Sequence, residues 1–167
     1  MAFGCGGGGL EKVDADDWVQ DVCDKAFDFD DAFLEAGEEL DVVEDGDPDE
    51  IKDAIEEFAD QANEAIDTFI EDIEDIGEPD IEGGSDVIKA FRDHAEDEKK
   101  IISDFKNDVD DLDDDDEDDF RDEVIELLQD TEDVDLRERL EDLDEDDVDD
   151  LIDDIDGEGC GSIIFSS

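Results

Sequence analysis

The sequence predicts an all-α protein, an antiparallel bundle of three long helices plus shorter C-terminal helices. Three observations carry this reading. Apolar residues recur in alternating steps of four and three along most of the chain, the stripe of a helix that buries one face. No run alternates at period two over a useful length, so no substantial sheet is expected. The stripes are joined by short segments of Gly, Pro and Asp, and short connections make neighbouring helices antiparallel.

The first stripe runs through Val22, Ala26, Phe29, Phe33, Ala36 and Leu40. Trp18, Val19, Phe27 and Leu34 widen it, so this helix should bury against more than one neighbour. Gly37 weakens its last turns, and the segment ends at Glu44-Asp45-Gly46. The second helix opens on Asp47-Pro48-Asp49-Glu50, an N-cap, a proline at the first helical position and an acid at the third. Ile51, Ile55, Phe58, Ala62, Ala65, Phe69, Ile73 and Ile76 keep the rhythm until Gly77 and Pro79 stop it. Gly83-Gly84-Ser85 opens a third helix from Asp86 to Leu112, about 40 Å long at about 1.5 Å per residue. Its stripe is Ile88, Phe91, Ala95, Glu98, Ile102, Phe105, Val109 and Leu112, with Glu98 the single polar break.

Asp113 to Asp119 is an unbroken acidic run, read as a linker or as the acidic start of the next helix. Phe120, Val124, Leu127, Leu128 and Thr131 form a fourth stripe, and the phase slips near Asp130 to Asp135. Leu136, Leu140 and Leu143 make a short helix; Val148, Leu151, Ile152 and Ile155 make another. The glycines Gly157, Gly159 and Gly161 then precede Ser162-Ile163-Ile164-Phe165, read as a short strand or an apolar anchor. The expected organisation is a Gly-rich segment over 1–9, a helical bundle over 10–156 and a Gly-rich apolar tail over 157–167.

Charge sets the physical frame. The 167 residues include 67 Asp or Glu against 11 Lys or Arg, a formal net charge of -56. On a folded chain of this mass net charges sit about 12 Å apart. The screening length is about 10 Å at 0.1 M salt and about 3 Å at 1 M. Repulsion on this scale opposes compaction in dilute salt and fades in molar salt. A disordered acidic tail is the other common reading of such acidity. It conflicts with a 37% hydrophobic content, ten Phe and acids woven between helically spaced apolar residues, as in Asp72-Ile73-Glu74-Asp75-Ile76. Abundant Asp and Glu with very little Lys resembles the proteome style of extremely halophilic archaea and their viruses. That resemblance is compositional and points to no family.

The chain has no apolar run long enough to span a membrane. Met1 to Leu10 is not a complete signal peptide, and Gly4-Cys5-Gly6 lacks the upstream hydrophobic segment of a lipobox, so lipoprotein anchoring is not expected. The expected location is the cytoplasm or a virion of a high-salt organism. Cys5, Cys23 and Cys160 are odd in number and contain no CxxC pair, so no disulfide framework is expected.

Four constellations carry candidate chemistry. His94 and Glu98 share one helix face at a spacing that can hold a metal, but a di-metal bundle needs two ExxH pairs and the chain has one histidine. The simpler reading is a wetter waist in the bundle. Leu143 to Gly159 resembles the entering helix and loop of an EF-hand, which implies Asp154, Asp156 and Glu158 as metal ligands. The match then departs: Phe165 stands where the bidentate Glu belongs, and no exiting helix follows. Lys89, Arg92, Lys99, Lys100 and Lys106 concentrate five of the eleven basic residues on the third helix. They serve interhelical ion pairs or form a docking face for another acidic subunit. Lastly, Phe3 and Cys5 at one end, and Cys160, Ile163, Ile164 and Phe165 at the other, pair a cysteine beside glycines with apolar residues. The two ends are expected to meet at one end of the bundle and to form an assembly surface.

The function that follows is a non-enzymatic structural or interaction subunit of a larger assembly in an extreme halophile. A virion or head-tail component of a haloarchaeal virus is one concrete form. The alternative is an acidic binding module for cations or a basic protein, including DNA mimicry. No GxSxG, HExxH, P-loop or dinucleotide fingerprint occurs, and Tyr is absent. No enzyme activity and no dedicated cofactor are therefore expected. Diffuse binding of K, Na, Mg and Ca cations to the acidic surface is. Partners should be proteins or further copies of the chain; direct nucleic-acid binding is opposed by the field.

Overall fold

Asp47 fixes the start of the longest helix. Its side chain accepts from Glu50 N at 3.0 Å while Glu50 Oε2 accepts from Asp47 N at 3.3 Å, a reciprocal capping box with Pro48 at the first helical position. The computed structural model describes residues 10–129, 135–143 and 145–165. In chain order these hold β1 (Lys12–Val13), α1 (Ala15–Gly37), a 3-10 segment (Glu38–Glu44), α2 (Pro48–Ile76), β2 (Glu78–Pro79), α3 (Gly84–Asp110), α4 (Glu117–Gln129), α5 (Leu136–Glu141), α6 (Asp146–Glu158) and α7 (Gly161–Ile164). The all-α bundle is the observed fold. The two strands are two residues each and pair in parallel, Lys12 with Glu78 and Val13 with Pro79.

Local chemistry explains the boundaries. At Gly37, where helix propensity falls, α1 tightens into the 3-10 segment rather than ending. Gly77 closes α2 with φ 109°, and a Cβ there would stand 2.3 Å from the Glu11 carbonyl oxygen. Only glycine lets the chain entering α1 run that close to the end of α2. Trp18 Nε1 donates to the Gly77 carbonyl at 2.9 Å, securing the same junction from the core. The acidic run divides. Asp113 to Asp116 form the turn, and Glu117, Asp118 and Asp119 make the first turn of α4, where the helix dipole favours them.

Packing follows sequence order, α1 on α2 and α2 on α3, with α6 against α1 and α5 against α3. Three buried layers result. One end holds Trp18, Ile73, Phe91, Leu151 and Ile155; the other holds Ile51, Ile55, Phe105, Phe120 and Val124. Between them lies a layer rich in small residues, Ala36, Ala59, Ala62 and Ala95, with Phe58, Ile66 and Ile102.

Two expectations are corrected here. Cys23 and Cys160 form a disulfide with Cα atoms 5.4 Å apart, although the odd cysteine count argued against one. The packing of α6 and α7 on α1 brings these two side chains together, which counting cysteines does not anticipate. The C-terminal tail is also not separate from the bundle. Residues 161–164 are helical, and Cys160 and Ile164 are buried in the same layer as Trp18. Phe165 packs on that layer too, and the Arg137 guanidinium lies over its ring at 4.4 Å. Leu10 packs against this layer from the other end of the chain. Phe3 and Cys5 lie outside the described residues.

Candidate functional site

The alanine-rich middle layer leaves space. A cleft of about 380 Å³ opens beside it between α1, α2 and α3, with α5 and α7 closing one side. Its walls include Phe29 and Phe33 from α1, Phe69 from α2, Phe91 from α3, Leu136 from α5, and Ser162, Ile163 and Ile164 from α7. The rings form a continuous relay: Phe29 stacks on Phe69 at 5.1 Å between centroids, Phe69 reaches Phe91 at 6.4 Å, and Phe91 meets Trp18 edge-on at 6.0 Å. Offset and edge contacts of this kind add modest stability beyond area burial.

Besides Ser162, three polar residues line this wall: Asp30, His94 and Glu98. His94 is buried, and its Nε2 stands 3.1 Å from Glu98 Oε1. The pair lies midway along α3. His94 Nδ1 is buried without a hydrogen-bond partner among the described residues. Among the described residues, no Lys or Arg lines the cleft. A mostly apolar wall interrupted by a few convergent polar groups is the common form of a small-molecule site.

The other candidate residues fall elsewhere. Asp154, Asp156 and Glu158 lie on α6 as exposed helical residues rather than on a ligand loop. Asp154 and Glu158, four apart, share a face, while Asp156 between them points to another. Both Asp156 carboxylate oxygens accept from Arg137 Nη2 at 2.7 Å, and that bond holds the Arg137 pKa above its ordinary value. The EF-hand likeness therefore does not extend to geometry. Among the described residues, the three acids whose carboxylates converge within 4.8 Å are Asp113, Asp114 and Asp115, all exposed, with Asp114 held by Lys52 at 3.3 Å.

The basic residues of α3 are all engaged with carboxylates of their own chain. Lys89 meets Asp93 at 2.5 Å and Lys100 meets Asp104 at 2.5 Å along the helix. Arg92 pairs with Glu74, Lys99 with Asp67 at 2.6 Å and Lys106 with Glu56 at 3.3 Å, all across to α2. Lys89 holds the Asp93 carboxyl below its ordinary pKa, chiefly through their hydrogen bond. The remaining cations, Lys12, Lys25, Lys52, Arg121, Arg137 and Arg139, are likewise ion-paired.

On α1 a surface feature departs from the acidic skin. Phe27 is 47% exposed and Leu34 62% exposed, seven residues apart on α1, so they form one stripe with Asp30 between them. The sequence placed both in the buried stripe; their outward position on its flank is what the structure adds. The cleft was missed as well. Its signal is the pairing of Phe29 and Phe33 on one helix with Ala95 on another. Among the described residues, no helix is long and apolar enough to cross a membrane. Comparison with protein-family models, with curated proteins and with solved structures found no match to the chain.

Proposed function

We propose that this protein is a non-enzymatic subunit of a larger assembly in an extreme halophile, and that it self-associates in molar salt. A virion or head-tail component is the concrete form we favour. The carrying observation is the exposed Phe27–Leu34 stripe in a surface otherwise dominated by carboxylates. The 10106 Å² of accessible surface carries 56 net negative charges, about 180 Å² for each. In dilute salt two such surfaces repel at contact distance. In molar salt that repulsion is screened, and an exposed apolar stripe gains by being covered. Every Lys and Arg is paired within the chain, which supports contacts made by apolar groups rather than by a basic face.

Light scattering coupled to gel filtration in about 3 M KCl tests this. The expected mass is a multiple of 18.6 kDa, returning to a single protomer in the Phe27→Asp/Leu34→Asp double variant with helix content retained. A wild-type chain that stays at the protomer mass overturns the proposal.

A further inference from the structure

We propose that the cleft between α1, α2 and α3 binds an organic cation, an ammonium group carried on an apolar body. Four phenylalanine rings, Phe29, Phe33, Phe69 and Phe91, line it. Ring faces attract cations, and their bodies bury apolar surface. The carboxylates of the wall are Asp30 and Glu98, and no Lys or Arg of the described residues joins them, so an anionic ligand meets like charge. Glu98 already has His94 beside it at 3.1 Å. Asp30 is different: among the described residues it forms no ion pair, while all eleven Lys and Arg are committed to other carboxylates. Among the described residues no side chain neutralises it.

The volume, about 380 Å³, suits a small molecule rather than a peptide helix. Asp30 is half-buried, and charges withdrawn from solvent are screened less than those on the open surface. That difference allows a carboxylate to select a cation even in molar salt. A potassium ion satisfies the charge but has no apolar body to place against the rings, so an amine with an aromatic or aliphatic tail is favoured over it.

The test uses 2-phenylethylammonium, the neutral 2-phenylethanol and the anion 3-phenylpropanoate, titrated calorimetrically into the full chain in about 3 M KCl. Trp18 fluorescence is a second readout, because Trp18 touches Phe91 of the wall. The amine should bind saturably and at least tenfold more tightly than the alcohol, with no binding of the anion. Asp30→Asn should close the gap between amine and alcohol. Phe69→Leu, which keeps apolar bulk and removes the ring, should weaken the amine more than the alcohol. A Phe27→Ser/Leu34→Ser variant breaks the exposed stripe without adding charge beside Asp30, and it should bind the amine whether or not the chain assembles. Equal affinity for amine and alcohol, an amine that does not saturate, or unchanged selectivity in Asp30→Asn each overturns the proposal.

Discussion

Cys23 and Cys160 lie 137 residues apart in sequence and are joined through their sulfurs, tying the C-terminal helices to the first helix of the bundle. A cross-link closing so long a loop removes much of the denatured chain's freedom, about 5 kcal/mol in the chain-entropy account. Reduction, or Cys160→Ser, should therefore lower the denaturation midpoint in about 3 M KCl by several degrees or more. Titration of free thiols in the unfolded, unreduced chain should find one cysteine, Cys5. Three free thiols, or a midpoint indifferent to reductant, would contradict the cross-link.

Phe91 is 1% exposed and reaches both Trp18 and Phe69. Phe91→Ala should cost about 3–5 kcal/mol, the usual range for a buried phenylalanine. Phe27→Ala, at a position 47% exposed, should cost a small fraction of that. Chemical denaturation of the two variants side by side checks the assignment; comparable losses would place Phe27 in the core.

Gly77→Ala combines a left-handed φ of 109° with a Cβ placed 2.3 Å from the Glu11 carbonyl oxygen. The expected loss is at least about 1–3 kcal/mol of backbone strain. Trp18 should report it, because its indole donates to the Gly77 carbonyl. A Gly77→Ala protein with unchanged stability and unchanged Trp18 emission would show that the junction does not need this approach.

The parts of the fold legible in the sequence are those set by local chemistry. Asp47, Pro48 and Glu50 announce the start of α2, and Gly77 its end, because caps and helix breakers act through the backbone beside them. Gly37 marks the point where α1 changes pitch. The four-three stripes identify the long helices because one periodic face must be buried. What sequence did not disclose depends on which faces meet. Cys23 and Cys160 pair only once α6 and α7 pack on α1. Asp156 looked like a ligand until Arg137, on another helix, took both its oxygens. The cleft arises where Phe29 and Phe33 of α1, Phe69 of α2 and the small Ala95 of α3 come together, and no single stripe records a vacancy shared by three.

Acidification should partly replace salt. Protonating crowded carboxylates removes the repulsion that salt screens, so at about 0.1 M KCl helix content should rise as pH falls from 7 toward 4.5. The Lys89–Asp93 pair does not offset this gain. Its depressed carboxyl pKa gives a stability contribution that is present above the unfolded value of about 4 and is lost only as pH falls through the lower folded value. Circular dichroism along a pH series checks the direction. Helix content that falls steadily over this window would contradict repulsion as the controlling term.

The most direct measurement is the far-ultraviolet circular dichroism of the purified chain from 0.1 to 4 M KCl at pH 7, without divalent ions. A charge of -56 set against a core of ordinary hydrophobicity predicts that helix is gained cooperatively as salt rises, toward the helix content of the folded bundle. Full helicity with a cooperative thermal transition already at 0.1 M KCl would contradict a fold built for molar salt.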